Sequence, residues 1–144
     1  MSTASPSTTI QHVNVMVDNL DAATEFYRDV LGLTEAFTPD LGFPAQFFAV
    51  DEFQEIHVNQ LDDVHPERSH FCLRFTDFDS VFRKALDLGI LETGTWGKAR
   101  RLPTGVVQAF VRDPSGNLIE ISCEADVPVD PAIFELDVFE QPTA

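Results

Sequence analysis

Residues 10–33, IQHVNVMVDNLDAATEFYRDVLGL, carry two periodicities in succession. Side chains two apart share one face of a strand, so Val13, Val15 and Val17 form an apolar face with His12 and Asn14 opposite. Asn19 follows as a helix N-cap, with Asp21 in the first turn. Leu20, Ala23, Tyr27, Val30 and Leu31 then recur at helical spacing beside Phe26, and Gly32 stands where a C-cap belongs. The stretch predicts a half-buried strand followed by an amphipathic helix.

The scheme repeats, and the repeat organises the whole chain. His70 opens a strand pattern 58 residues after His12. Asp77 is the second N-cap, Phe78, Val81, Phe82, Ala85 and Leu86 form the second stripe, and Gly89 ends it. Leu31-Gly32-Leu33 and Leu88-Gly89-Ile90 lie 57 residues apart, in step with the histidines. Three strand-like runs follow each helix: 33–38, 44–50 and 54–61, then 90–96, 105–112 and 117–122. Asp113-Pro114-Ser115-Gly116-Asn117 is a turn that joins the last two runs as a hairpin: Pro fixes φ, and Gly and Asn tolerate positive φ. The reading is an α+β fold of two tandem β-α-β-β-β modules, 10–61 and 70–123, in one domain spanning 10–123. Residues 62–69 are the linker and residues 1–9 a flexible N-terminus. Residues 124–144, with three prolines and six acids, form a partly ordered acidic arm.

Four side chains occupy matching places in the two modules. His12 and His70 open their strands; His57 and Glu120, 63 residues apart, lie late in theirs. Three imidazoles and a carboxylate make a plausible ligand set for one divalent transition metal. Alternation puts Asn14, Glu55, Asn59, Cys72, Arg74 and Ser122 on the same faces, with Gln108 and Arg112 in phase on the neighbouring strand. Each ligand strand thus has one apolar face for the helices and one polar face. The polar faces are expected to line a cupped mixed sheet around the metal. His65, beside Pro66 in the acidic linker, is expected to be solvated.

Composition bounds the rest. At 144 residues, 44% hydrophobic and 23% charged, the chain is long enough for one domain with a real core. No apolar run approaches a membrane span, and residues 1–9 do not read as a signal peptide. Cys72 and Cys123 are expected to be reduced thiols in a cytoplasmic protein. A net charge of −15 argues against nucleic acid and anionic membrane partners. Thirteen Phe against one Tyr and one Trp make Phe the chief core aromatic, with Phe47, Phe48 and Phe110 also available as an apolar wall for the cup.

IQHVNVMVDNLDAATEFYRDVLGL and FVRDPSGNLIEI (residues 110–121), set in paired β-α-β-β-β units, resemble the vicinal oxygen chelate superfamily over about residues 10–123. That group includes glyoxalase I, methylmalonyl-CoA epimerase, fosfomycin-resistance enzymes, extradiol dioxygenases and bleomycin-binding proteins. The resemblance places metal ligands on the first and fourth strand of each unit, here His12, His57, His70 and Glu120. It implies one divalent ion (Fe, Zn, Ni, Co or Mn), a small substrate chelated through vicinal oxygens, and a homodimer. Metal-free members that only sequester drugs usually lack this ligand set, so an enzyme is expected.

Two chemistries compete within that resemblance. Glyoxalase-type isomerases, epimerases and lyases use the metal as a Lewis acid and move a proton; Glu120 or a metal-bound hydroxide would be the base, with Glu55 and Asp51 as further carboxylates. An extradiol dioxygenase would use Fe(II) on a triad of His12, His70 and Glu120. Ring-cleaving members carry a His and then a Tyr upstream of the last hairpin's Asp-Pro. Here Phe110 takes the Tyr position, and no His follows His70. His57 as a fourth ligand would also fill a position that dioxygen needs open. Both points favour proton transfer. Glyoxalase I has two metal-site glutamates where this chain has one, which argues against its own substrate. Antibiotic resistance or drug binding is the remaining alternative. Lys98, Arg100 and Arg101 gather three cations in four residues. They read either as a solvated loop balanced by acids or, as in the fosfomycin-resistance branch, as a grip on an anionic substrate. Asn14, Asn59, Phe48 and Phe110 complete the expected substrate contacts.

Overall fold

The computed structural model describes residues 10–66, 70–94 and 99–136. The first module runs β1 (His12–Val17), α1 (Leu20–Glu25), a π-helical turn (Phe26–Val30), β2 (Thr34–Ala36), β3 (Ala45–Ala49) and β4 (Glu55–Gln60). The second runs β5 (His70–Arg74), α2 (Phe78–Leu88), β6 (Arg100–Arg101), β7 (Val107–Arg112) and β8 (Leu118–Cys123), and a 3₁₀ turn (Pro131–Glu135) follows. Three of the four expected caps are found, while Leu31 and not Gly32 caps the end of the first helical stretch. Asn19 accepts from the Ala22 amide at 3.0 Å and Asp77 from the Ser80 amide at 3.2 Å. Gly89 ends α2 in the left-handed region at φ 68°, where a side chain would be strained.

The fold is α+β, and the two modules form two four-stranded mixed sheets, ordered β1-β4-β3-β2 and β5-β8-β7-β6. In each, the first strand pairs parallel with the fourth, and the other pairs are antiparallel. The helices cover one face of each sheet. Val15, Val17, Phe48, Ile56 and Val58 from the first module join Phe78, Val81, Phe82, Ala85, Ile119 and Ile121 from the second in one buried cluster. The opposite faces keep their polar residues, so the alternation read in β1, β5 and β8 holds.

Two local expectations are corrected. The helix read over residues 20–31 changes to a π-helical turn at Phe26, which still buries Phe26, Tyr27 and Val30. Over its described residues, 90–94, the run read as 90–96 is not a strand: Leu91 alone bridges Val111. At this point the Glu92 carboxylate accepts from the Gly94 amide at 2.8 Å, in a local turn, and pairs with Arg112 at 2.9 Å. The outer strand of this sheet is instead Arg100–Arg101; residues 95–98 lie outside the described residues.

A buried hub ties the modules together. Asp113 Oδ1 accepts from the Ser115 and Asn117 amides at 2.9 and 2.8 Å. Its Oδ2 accepts from Asn117 Nδ2 at 2.9 Å and from Tyr27 Oη at 3.0 Å. Burial pushes the Asp113 carboxyl above its ordinary value, against the hydrogen bonds from Asn117, Tyr27 and Ser115. Asp113→Ala strands the Tyr27 hydroxyl in the core. It is expected to lower unfolding free energy by about 2–4 kcal/mol in urea denaturation, since each buried polar group left unpaired costs about 1–3 kcal/mol; an unchanged midpoint would contradict the hub.

The C-terminal arm packs on the core as far as Leu136. Ile133 is fully buried, with Val127, Val129, Phe134 and Leu136 against the core, and Arg83 pairs with Asp130 at 2.6 Å. Among the described residues, no helix is long and apolar enough to cross a membrane.

Candidate metal and substrate site

On the open face of the first sheet, His57 is held between two rings. β3 places Phe47 directly opposite it and β1 places Asn14 opposite, with His12 two residues before Asn14 on the same face. The His57 ring stacks on Phe47 at 3.5 Å and on His12 at 4.1 Å. Gln11 lies 2.6 Å from His12 Nδ1 and donates to Glu55 at 3.1 Å; the other Glu55 oxygen is 3.9 Å from His57 Nε2. His57 Nε2 is buried without a hydrogen-bond partner, and so is Asn59 Oδ1, two residues along the same face. Buried polar atoms are rarely left so.

Burial first, and then the neighbouring His12, push the His57 imidazole below its ordinary value of 6.5, with Glu55 opposing. A depressed folded-state value means that the neutral ring is favoured. The resulting stability is present above the unfolded value and is lost as pH falls through the folded one. In chelator-treated protein, the His57 ring signals are expected to titrate with a midpoint below 6.5 by NMR. Glu55→Gln should lower the midpoint further; a midpoint at or above 6.5 would contradict this environment.

The second sheet carries the matching pair. Cys72 stands opposite Glu120 across β5 and β8, and His70 is two residues before Cys72. Glu120 Oε2 lies 3.4 Å from His70 Nε2. Gln108 Nε2 donates to Glu120 Oε1 at 2.9 Å, and Phe110 packs edge-on against His70 at 5.4 Å. Cys72 Sγ is 3.1 Å from Ser122 Oγ, and burial pushes its thiol up; neither Cys72 nor Cys123 is in a disulfide.

The structure therefore brings His12 to His57 and His70 to Glu120, but among the described residues no three His, Cys, Asp or Glu gather as a metal-binding group. Each pair has donor chemistry that suits a divalent ion, and the unpartnered His57 Nε2 has a lone pair such an ion could take. A cavity of about 460 Å³ lined by Asn14, Met16, His70 and Asn117 lies along β1 and β5.

The other expected site residues divide. Asn14, Asn59 and Phe110 stand on the open faces. Phe48 does not: it is fully buried and packs on Tyr27, and Phe47 is the aromatic beside His57. Lys98 lies outside the described residues. Arg100 and Arg101 are engaged by the protein: Arg100 donates to Gln108 at 3.1 Å, and Arg101 donates to the Gly105 carbonyl at 2.7 Å and sits over Phe134. Asp51 is tied into its own turn by the Phe53 and Gln54 amides. His65 is exposed and pairs with Asp63 at 2.9 Å. Gln108 is the residue whose role sequence reading did not see; alternation had put it on this face, but its contacts depend on strand register.

Two β-α-β-β-β modules with helices on one face and open polar faces on the other define a glyoxalase-type fold. The model of the Glyoxalase/Bleomycin resistance protein/Dioxygenase superfamily matches residues 9–121, and the chain belongs to that superfamily. Similar solved structures include a protein assigned to the glyoxalase family from Bacillus anthracis, with 23% identity, TM-score 0.69, and coverage of 85% of this chain and 99% of that one. Lactoylglutathione lyase from Agrobacterium tumefaciens is 26% identical with TM-score 0.63, covering 83% and 96%. Fosfomycin resistance protein FosX from Listeria monocytogenes shares the fold at 15% identity and TM-score 0.65, covering 82% and 94%. No curated protein matches the chain by sequence.

Proposed function

We propose that the protein is a metal-dependent, glyoxalase-like isomerase or lyase acting on a small substrate that offers two neighbouring oxygens. The carrying observation is the buried, unpartnered Nε2 of His57, stacked beside His12 on the strand equivalent to that of Glu120. His12, His57, His70 and Glu120 are the proposed ligands. A divalent ion held by them supplies Lewis-acid polarisation of the substrate oxygens.

The protein's own residues do the rest. Glu120 Oε1 accepts from Gln108 and Oε2 faces His70, which makes Oε2 the oxygen proposed to hold the ion or take a proton. Asn59 Oδ1 is an enclosed acceptor that suits a donor on the substrate, and Asn14 stands near it on the same face. Phe47 and Phe110 wall the site with apolar surface, which favours an aromatic or acyl group. The similarity to a lyase supports proton-transfer chemistry over oxygen chemistry.

Because His12 stacks on His57 in one sheet while His70 lies beside Glu120 in the other, we further propose a homodimer in which one copy's His12 and His57 meet the other's His70 and Glu120. Mixing His12→Ala/His57→Ala protein with His70→Ala/Glu120→Ala protein, each of which binds no ion alone, should then restore up to one ion per dimer. No recovery in a mixture that forms mixed dimers would place the site within one chain.

The reaction class has its own test. With Zn, Ni, Co or Mn bound, the protein should exchange a carbon-bound proton of a 2-hydroxycarbonyl substrate with solvent deuterium, and Glu120→Gln should lose the exchange. Anaerobic loading with Fe(II), followed by substituted catechols in air, should consume no oxygen. Oxygen uptake with a yellow ring-fission product would overturn the proposal in favour of an extradiol dioxygenase.

A further inference from the structure

Four side chains form one continuous polar chain across the second sheet, from β6 through β7 and β8 to β5. Arg100 Nε donates to Gln108 Oε1 at 3.1 Å. Gln108 Nε2 donates to Glu120 Oε1 at 2.9 Å, and Glu120 Oε2 is 3.4 Å from His70 Nε2. Gln108 is only 8% exposed. Register builds the chain: Arg100 lies directly opposite Gln108, and Gln108 lies opposite Ser122, which puts Glu120 within diagonal reach on the same face.

The chain fixes the orientation of the amide. A guanidinium has only donors and an ionised carboxylate only acceptors. Gln108 lies between the two, so its carbonyl must face Arg100 and its NH₂ must face Glu120. The module repeat supplies an independent comparison. Phe47 lies opposite His57 as Phe110 lies opposite Glu120, and Ala45 lies opposite Asn59 as Gln108 lies opposite Ser122. The module whose fourth strand carries an imidazole has alanine at this place, and that imidazole is held by ring stacking instead. The module that carries a carboxylate has at this place a side chain that donates to it.

We propose that Gln108 is the positioning residue for Glu120, and that Arg100 acts through Gln108 by locking its amide instead of gripping an anionic substrate. Gln108 holds Oε1 and leaves Oε2 turned toward His70. The inference rests on the reading of Glu120 as ligand and base given above.

The test is Co(II) and Zn(II) affinity of the full-length protein, measured against a competing chelator. Gln108→Leu and Gln108→Glu should each weaken binding by about 10–100-fold, the usual cost of losing an outer partner of a ligand. Arg100→Met should cause a smaller loss, and adding it to Gln108→Leu should cause none, because residues acting in series are not additive. Unchanged affinity in both Gln108 variants, or a full Arg100→Met effect on top of Gln108→Leu, would overturn the proposal. A second readout needs no metal. The Gln108 side-chain NH₂ signals of metal-free protein should move in Glu120→Ala and in Arg100→Met; signals that stay put in both would also overturn it. Failure of wild type to bind any ion would remove the metal reading, and the NH₂ signals would then decide the Gln108 proposal alone.

Discussion

Phe48→Ala should cost about 3–5 kcal/mol of stability, the range for emptying a buried aromatic site, while Phe47→Ala should cost no more than about 1.5 kcal/mol. The two residues are neighbours in β3 and chemically identical, so the difference is purely one of face. Phe48 is fully buried against Tyr27, opposite Ile56, in the cluster that joins both modules. Phe47 is half-buried on the open face, where it stacks on His57. Truncating Phe48 opens a cavity under the helices that close packing cannot fill. Truncating Phe47 mainly frees the His57 ring and should show in ligand binding. Urea denaturation of both variants checks this; equal losses would mean that the strand presents neither face as described.

That pair also shows what the sequence could and could not disclose. In β1, β5 and β8 one face is apolar throughout (Val13, Val15 and Val17; Phe71 and Leu73; Ile119 and Ile121), so the opposite face bearing His12, His70 and Glu120 was legible even with Met16 and Leu118 on it. In β3 the sequence is Ala-Gln-Phe-Phe-Ala, and alternation within it cannot say which Phe faces the core. The pairing of Phe47 with His57 decides it, and that register is a long-range property. The second module's outer strand differs from the reading for a related reason: Glu92 pairs with Arg112, twenty residues on, and Arg100 with Gln108 across the sheet, contacts that no local pattern reveals. The helix caps and the hairpin turn act through neighbouring residues and could be read directly. The Arg100–Gln108–Glu120 chain crosses three strands. Only the residue types and their phase were visible beforehand, and the cluster of Lys98, Arg100 and Arg101 read either as a solvated loop or as a substrate grip.

His12→Ala or His70→Ala should remove the bound ion, with a loss exceeding the roughly 10–100-fold expected for an outer partner. Each deletes a proposed ligand from a different sheet, so a site built from one sheet alone would respond to one variant and not to the other. His65→Ala should keep the ion, because that ring is exposed on the linker, pairs with Asp63 and is none of the four proposed ligands. Affinity should also weaken as pH falls through the imidazole range, since a protonated ring has no lone pair to give. The most direct measurement is the metal content of wild type and these three variants, purified without chelator and analysed by elemental mass spectrometry. The account predicts one divalent ion per chain in wild type and His65→Ala and none in His12→Ala or His70→Ala; equal content in all four proteins would contradict it.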